Sequence, residues 1–131
     1  MKTSSNENSE NNENQKSKER KKNTRKFKEH QKRKAESYTF VRRLYYFLRH
    51  HADQIFFKKL YGGVLGYYDH GTAEITIDHR REVIPTLIHE FIHHIHNDWS
   101  ETKVRNYERR MLNSLSPNQI KHIIKILANN I

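Results

Sequence analysis

The sequence predicts a small α+β domain: an N-terminal helix, a sheet of about three antiparallel strands, then three helices, all behind a basic tail. Three observations predict it. Apolar residues recur at helical spacing on both sides of the middle of the chain. Between them lie short runs rich in aromatic and β-branched residues, one of which alternates with period two. The first 35 residues hold almost nothing that could enter a core. At 131 residues there is room for one domain, placed over 36–131.

Residues 1–35 contain no aliphatic or aromatic side chain beyond Met1, Phe27 and Ala35. They are Asn/Ser/Glu-rich up to Gln15 and strongly basic over 16–34, a composition that predicts disorder. This tail carries 12 Lys/Arg against 5 Asp/Glu, while 36–131 carries 13 against 10. Most of the formal charge of +10 is therefore a property of the tail. Such a run attracts polyanions by counterion release, so nucleic acid or an acidic partner is the expected contact of 16–34.

From Glu36 the pattern changes. Phe40, Val41, Leu44, Tyr45, Phe47 and Leu48 fall at helical spacing and predict a helix over 37–51. Segments 54–60 and 63–68 predict short strands, and 73–78 alternates apolar and polar, as a half-buried strand does. The turn before it contains Gly71, the residue free to take a positive φ there. A consecutive meander is the expected sheet, with Glu74 to Asp78 as an edge strand able to hold an extended peptide. Next comes a helix with Pro85 in its first turn, ending near Asn97 and Asp98. Ser100 is a good N-cap for a helix over 101–114. Ser116, Pro117 and Gln119 form a capping box that opens a last helix, with Ile120, Ile123, Ile124 and Leu127 on one face.

The chemistry lies in His89-Glu90-x-x-His93. On a helix these histidines sit one turn apart on one face, so both imidazoles can serve a single metal ion. Ile84, Ile88, Phe91 and Ile95 form an apolar stripe, and His89 and His93 fall opposite it. An ordinary surface helix would carry Lys, Glu or Arg there. Two histidines plus a neighbouring glutamate are the working half of a zinc hydrolase: the imidazoles bind one Zn²⁺ per chain, and Glu90 acts as general base toward a metal-activated water.

A catalytic zinc normally has a third protein ligand. Glu101 is the first candidate and Glu108 the alternative, seven residues apart and on one helix face. Tyr107, His70, His79, His94 and His96 are candidates to assist the chemistry, and His96 with Asp98 to form an outer shell. The chain has no cysteine, which excludes disulfides, zinc ribbons, iron–sulfur clusters and thiol catalysis. It has neither a signal-peptide core nor a run long enough to span a membrane, so an intracellular, soluble protein is expected.

The stretch TLIHEFIHHIH, preceded by a Gly-Tyr-Tyr hairpin and an ITID strand and followed by Ser100-Glu101, resembles the ImmA/IrrE-like zincins. It is also similar to small zincin-like proteins of phages and mobile elements. The resemblance spans about 61–115 and implies a minimal zincin fold and a metallopeptidase activity. In that family a motif close to E-x-x-A-N-x-F-A supplies the third ligand. Here Glu101 and the aromatic Tyr107 match it, while Val104, Arg105 and Glu108 depart. SprT-like proteases are a second zincin group, but they often carry a zinc ribbon that this chain cannot build. Two functions follow as expectations: a zinc-dependent metallopeptidase, or a nucleic-acid-binding or interaction protein on a catalytically inactive zincin scaffold.

Overall fold

The computed structural model describes residues 4–130, with side chains described over 11–129. Four helices and one three-stranded sheet make a small, mostly helical α+β fold. In order they are α1 (Ser4–His50), a short 3-10 turn (Ala52–Gln54), β1 (Ile55–Lys58), β2 (Gly66–Asp69), β3 (Glu74–Asp78), α2 (Val83–Ile95), α3 (Glu101–Ser114) and α4 (Pro117–Asn130). The chain divides into two compact units between Glu36 and Ser37.

In the first unit α1 is helical from Ser4 onward, across the stretch expected to be disordered. Residues 1–3 of the expected tail lie outside the described residues. The reason is local. Lys, Arg, Glu and Gln are good helix formers, and Glu29 with Arg33 is an i,i+4 pair of favourable orientation. Every described side chain from 11 to 35 is exposed, so no core supports this part of α1.

The second unit is built around α2. Leu87, Ile88, Phe91 and Ile92 are essentially fully buried. Phe91 meets Phe40 edge-on at 5.6 Å and Phe47 at 5.3 Å, which seats α2 against the C-terminal part of α1. Val104 and Met111 bury one stripe of α3, and Ile123, Ile126 and Leu127 one stripe of α4. Ile124 is exposed, so the inward face of α4 is turned slightly from the expected one and takes Ile126 instead. The N-caps match their sequence signals. Ser100 Oγ accepts from Lys103 N, and Ser116 and Gln119 exchange reciprocal hydrogen bonds of 3.1 and 2.8 Å.

The sheet corrects the expected antiparallel meander. Its order is β1-β3-β2, with β1 parallel and β2 antiparallel to β3. Ile75 and Ile77 are fully buried and belong at the centre, whereas β1 and β2 alternate between buried or half-buried and exposed positions, as edges do. The loop 59–65, turned by Gly62 and Gly63 at φ of 71° and 76°, carries the chain past the β3 position. The β2–β3 turn then closes by a different device from the expected one. Asp69 Oδ1 accepts from the amides of Gly71 and Thr72, and the positive φ falls on Ala73 rather than Gly71. Because β3 is paired on both sides, Glu74 to Asp78 cannot accept a peptide as an edge strand.

The crossover is anchored at Asp78, whose side chain is fully buried. Its carboxylate accepts from Arg80 Nε and Nη2 at 2.9 and 2.7 Å, and from the amides of Arg80 and Leu60. Arg80 Nη2 also donates to Leu60 O at 2.9 Å, so the ends of β1 and β3 are locked together. These hydrogen bonds, those from the Arg80 side chain first, hold the Asp78 carboxyl far below the usual carboxylate range. A depressed folded-state pKa stabilises the fold fully above the ordinary aspartate value of about 3.9, and the benefit fades as pH falls below it. Asp78→Asn is expected to lower the thermal midpoint, and circular dichroism should find a larger deficit at pH 7 than at pH 3.

Candidate metal centre

The centre forms where one edge of α2 meets the first two turns of α3. Burial of Leu87, Ile88, Phe91 and Ile92 fixes the rotation of α2 and brings His89, Glu90 and His93 toward α3. The Ser100 cap starts α3 one residue later, placing Glu101 at its N-terminus. Glu101 Oε1 then accepts from His89 Nε2 at 3.0 Å and from His93 Nε2 at 2.9 Å. One ligand atom from each residue lies within 4.8 Å of the others. Among the described residues this is the one such group of three or more, and it could hold a metal ion.

Glu108, the alternative third ligand, has a different place. Its Oε2 accepts from His89 Nδ1 at 3.2 Å, on the far side of the ring from Glu101. Both carboxylates therefore face α2, as their seven-residue spacing requires, but only Glu101 meets both imidazoles. A carboxylate on the second nitrogen of a ligating imidazole sets its tautomer and ring orientation.

The electrostatics follow from burial and these contacts. Burial disfavours a charged His89, yet its hydrogen bonds to Glu108 and Glu101 outweigh this and raise its pKa. Burial likewise works against an ionised Glu101, but donation from His93 and His89 holds its pKa below the ordinary glutamate value. Glu90 is 7% exposed, and burial raises its pKa against the opposing pull of His89 and His93.

The other expected helpers lie elsewhere. His94 turns to the opposite side of α2, where Tyr68 Oη lies 3.1 Å from Nδ1. His96 stacks flat on Trp99 at 3.6 Å. Tyr107 is buried between Phe40 and Trp99. His70 rests edge-on against Tyr68, and His79 and Asp98 are exposed. None of them joins the group of three.

A cleft of about 630 Å³ opens over the centre, between residues 63–66 and α3. Three of its features were not read from the sequence. Arg105 and Arg109 line it at i+4 and i+8 from Glu101, a helical spacing that was legible. Gly66 lines it too, and explains how β2 comes so near α2. A Cβ at Gly66 would stand 2.5 Å from Thr86 Cγ2, 2.8 Å from the Thr76 carbonyl oxygen and 3.6 Å from Glu90 Cγ. Only glycine allows that approach.

No protein-family model, no curated protein and no solved structure matches this chain. No helix among the described residues is long and apolar enough to cross a membrane.

Purified His93→Ala should lose its bound metal and Glu101→Ala should hold it more weakly. Glu108→Gln should keep the stoichiometry but lose roughly 10- to 100-fold in affinity, read by elemental analysis and chelator competition. Separately, Gly66→Ala should lower stability by about 1–3 kcal/mol in urea unfolding, because Thr86 and the Thr76 backbone must both give way.

Proposed function

We propose that this chain is a zinc-dependent metallopeptidase similar to the ImmA/IrrE-like zincins, with His89, His93 and Glu101 holding one Zn²⁺ and Glu90 as general base. The observation that supports it most is the convergence of two imidazole Nε2 atoms on one Glu101 oxygen, with a buried glutamate next in sequence to the first histidine. Two histidines and one carboxylate are a donor set that suits catalytic zinc and leaves a position open. Bound zinc would supply a Lewis acid able to polarise a peptide carbonyl and lower the pKa of water.

The protein's own residues do the rest. Burial raises the Glu90 pKa above the ordinary glutamate value, the direction that suits a carboxylate taking a proton and later returning it to a leaving amine. Glu108 holds His89 by Nδ1 and keeps Nε2 aimed into the centre. The substrate path runs along β2. Asp78 N donates to Leu65 O at 2.7 Å, and ladder alternation turns the backbone groups of Gly66 and Tyr68 to the open edge. An extended peptide added there passes beside Glu90, and its backbone hydrogen bonds need no particular side chains. Arg105 and Arg109 on the opposite wall favour carboxylate-bearing segments.

The test is digestion of an unfolded protein mixture by the zinc-loaded chain, with new termini identified by mass spectrometry. Glu90→Gln should retain zinc and lose about 10²- to 10⁴-fold in rate. Equal cleavage by Glu90→Gln, or none by the wild type, would contradict a peptidase and favour binding on an inactive scaffold.

A further inference from the structure

A second groove, of about 490 Å³, lies on the side of α2 to which His94 turns and involves none of the three candidate ligands. Its rim is a single stripe of the C-terminal part of α1: Tyr38, Arg42 and Tyr46, each four residues from the next, with Arg43 and His51 beside them. Tyr38 and Tyr46 are 63% and 61% exposed, so their rings are open to a ligand. Arg42 lies over the Tyr38 ring at 5.7 Å, and His50 lies 4.5 Å from Tyr46. The lining contains no aspartate or glutamate. Cationic groups and aromatic faces thus stand together in a lining that holds no carboxylate.

We propose that this groove binds single-stranded nucleic acid, with Tyr38 and Tyr46 as stacking platforms for bases and Arg42 and Arg43 as phosphate contacts. The chemistry of the two residue types is what selects this ligand. Arginine alone would suit any polyanion, but exposed rings interleaved with guanidinium groups match a strand that offers bases and phosphates in alternation. Spacing separates single strand from duplex. Tyr38 and Tyr46, eight residues apart on the helix, are displaced by about 12 Å, more than three times the 3.4 Å rise of stacked bases in a duplex strand. An unstacked strand can match that step; a duplex hides its base faces. This binding is independent of the peptidase reading and of the basic run 16–34.

The experiment is fluorescence anisotropy of a labelled 15-nucleotide oligothymidylate with the full-length protein, in parallel with a duplex of the same length, polyphosphate and a phosphopeptide. Tyr38→Ala/Tyr46→Ala leaves the net charge unchanged, so tail electrostatics are indifferent to it. It should cost about tenfold or more in single-strand affinity. Tyr38→Phe/Tyr46→Phe should retain binding, and Tyr61→Ala, at another exposed tyrosine, should have no effect. Arg42→Ser/Arg43→Ser should flatten the salt dependence by about two phosphate contacts. Unchanged affinity in the Ala pair, with circular dichroism showing a native fold, would overturn the proposal. So would equal groove-dependent binding of polyphosphate, the duplex or the phosphopeptide.

Discussion

Burial of Leu87, Ile88, Phe91 and Ile92 is the constraint from which the rest of the folded unit follows. A helix with this much apolar surface must be covered on most sides, and the sheet, the C-terminal part of α1 and α3 cover it. Its remaining edge is polar because of what lies across from it. His89 and His93 have Glu101 and Glu108 as partners, and Glu90 is seated beside Gly66. Buried and half-buried polar groups persist only where they are paired, so the packing of α2 and the completeness of the cluster depend on one another. The sheet contributes by proximity: without a side chain at position 66, β2 comes close enough to α2 to form one wall of the cleft.

How much of this was legible in the sequence depended on the range of the interaction. His89, Glu90 and His93 were readable because four-residue spacing on a helix is a local property. So were the caps at Ser100 and Ser116, each set by residues three apart. The choice between Glu101 and Glu108 was not readable. Both lie on the correct face, and only the approach of α3 to α2 decides that Glu101 meets two imidazoles and Glu108 one. Sheet order failed for a similar reason. Short strands in sequence suggest a meander, but the fully buried Ile75 and Ile77 needed the centre, and loop 59–65 was long enough to allow it. The tail lacks the apolar residues of a core, yet its Lys, Arg, Glu and Gln carry helix propensity. Those are separate questions, since α1 is helical there with every described side chain from 11 to 35 exposed.

The two sides of α2 differ in chemistry. One presents Glu90, Glu101 and Glu108 around two histidines; the other presents Arg42, Arg43 and His51 between tyrosines. The same apolar core supports both, and neither needs the other in order to form. A metallopeptidase with a nucleic-acid groove and a basic tail would act where its substrate sits on nucleic acid. An inactive scaffold would keep only the second half of that description.

Everything proposed for the metal centre depends on its ligand set. X-ray absorption spectroscopy of the zinc-loaded protein tests it most directly, because multiple scattering from imidazole rings counts histidine ligands independently of any activity. Ligation by His89, His93 and Glu101 requires a shell of nitrogen and oxygen donors at about 2.0–2.2 Å containing two imidazoles. Three or more imidazoles, drawing in His94 or His96, or none, would contradict the site assigned to His89, His93 and Glu101.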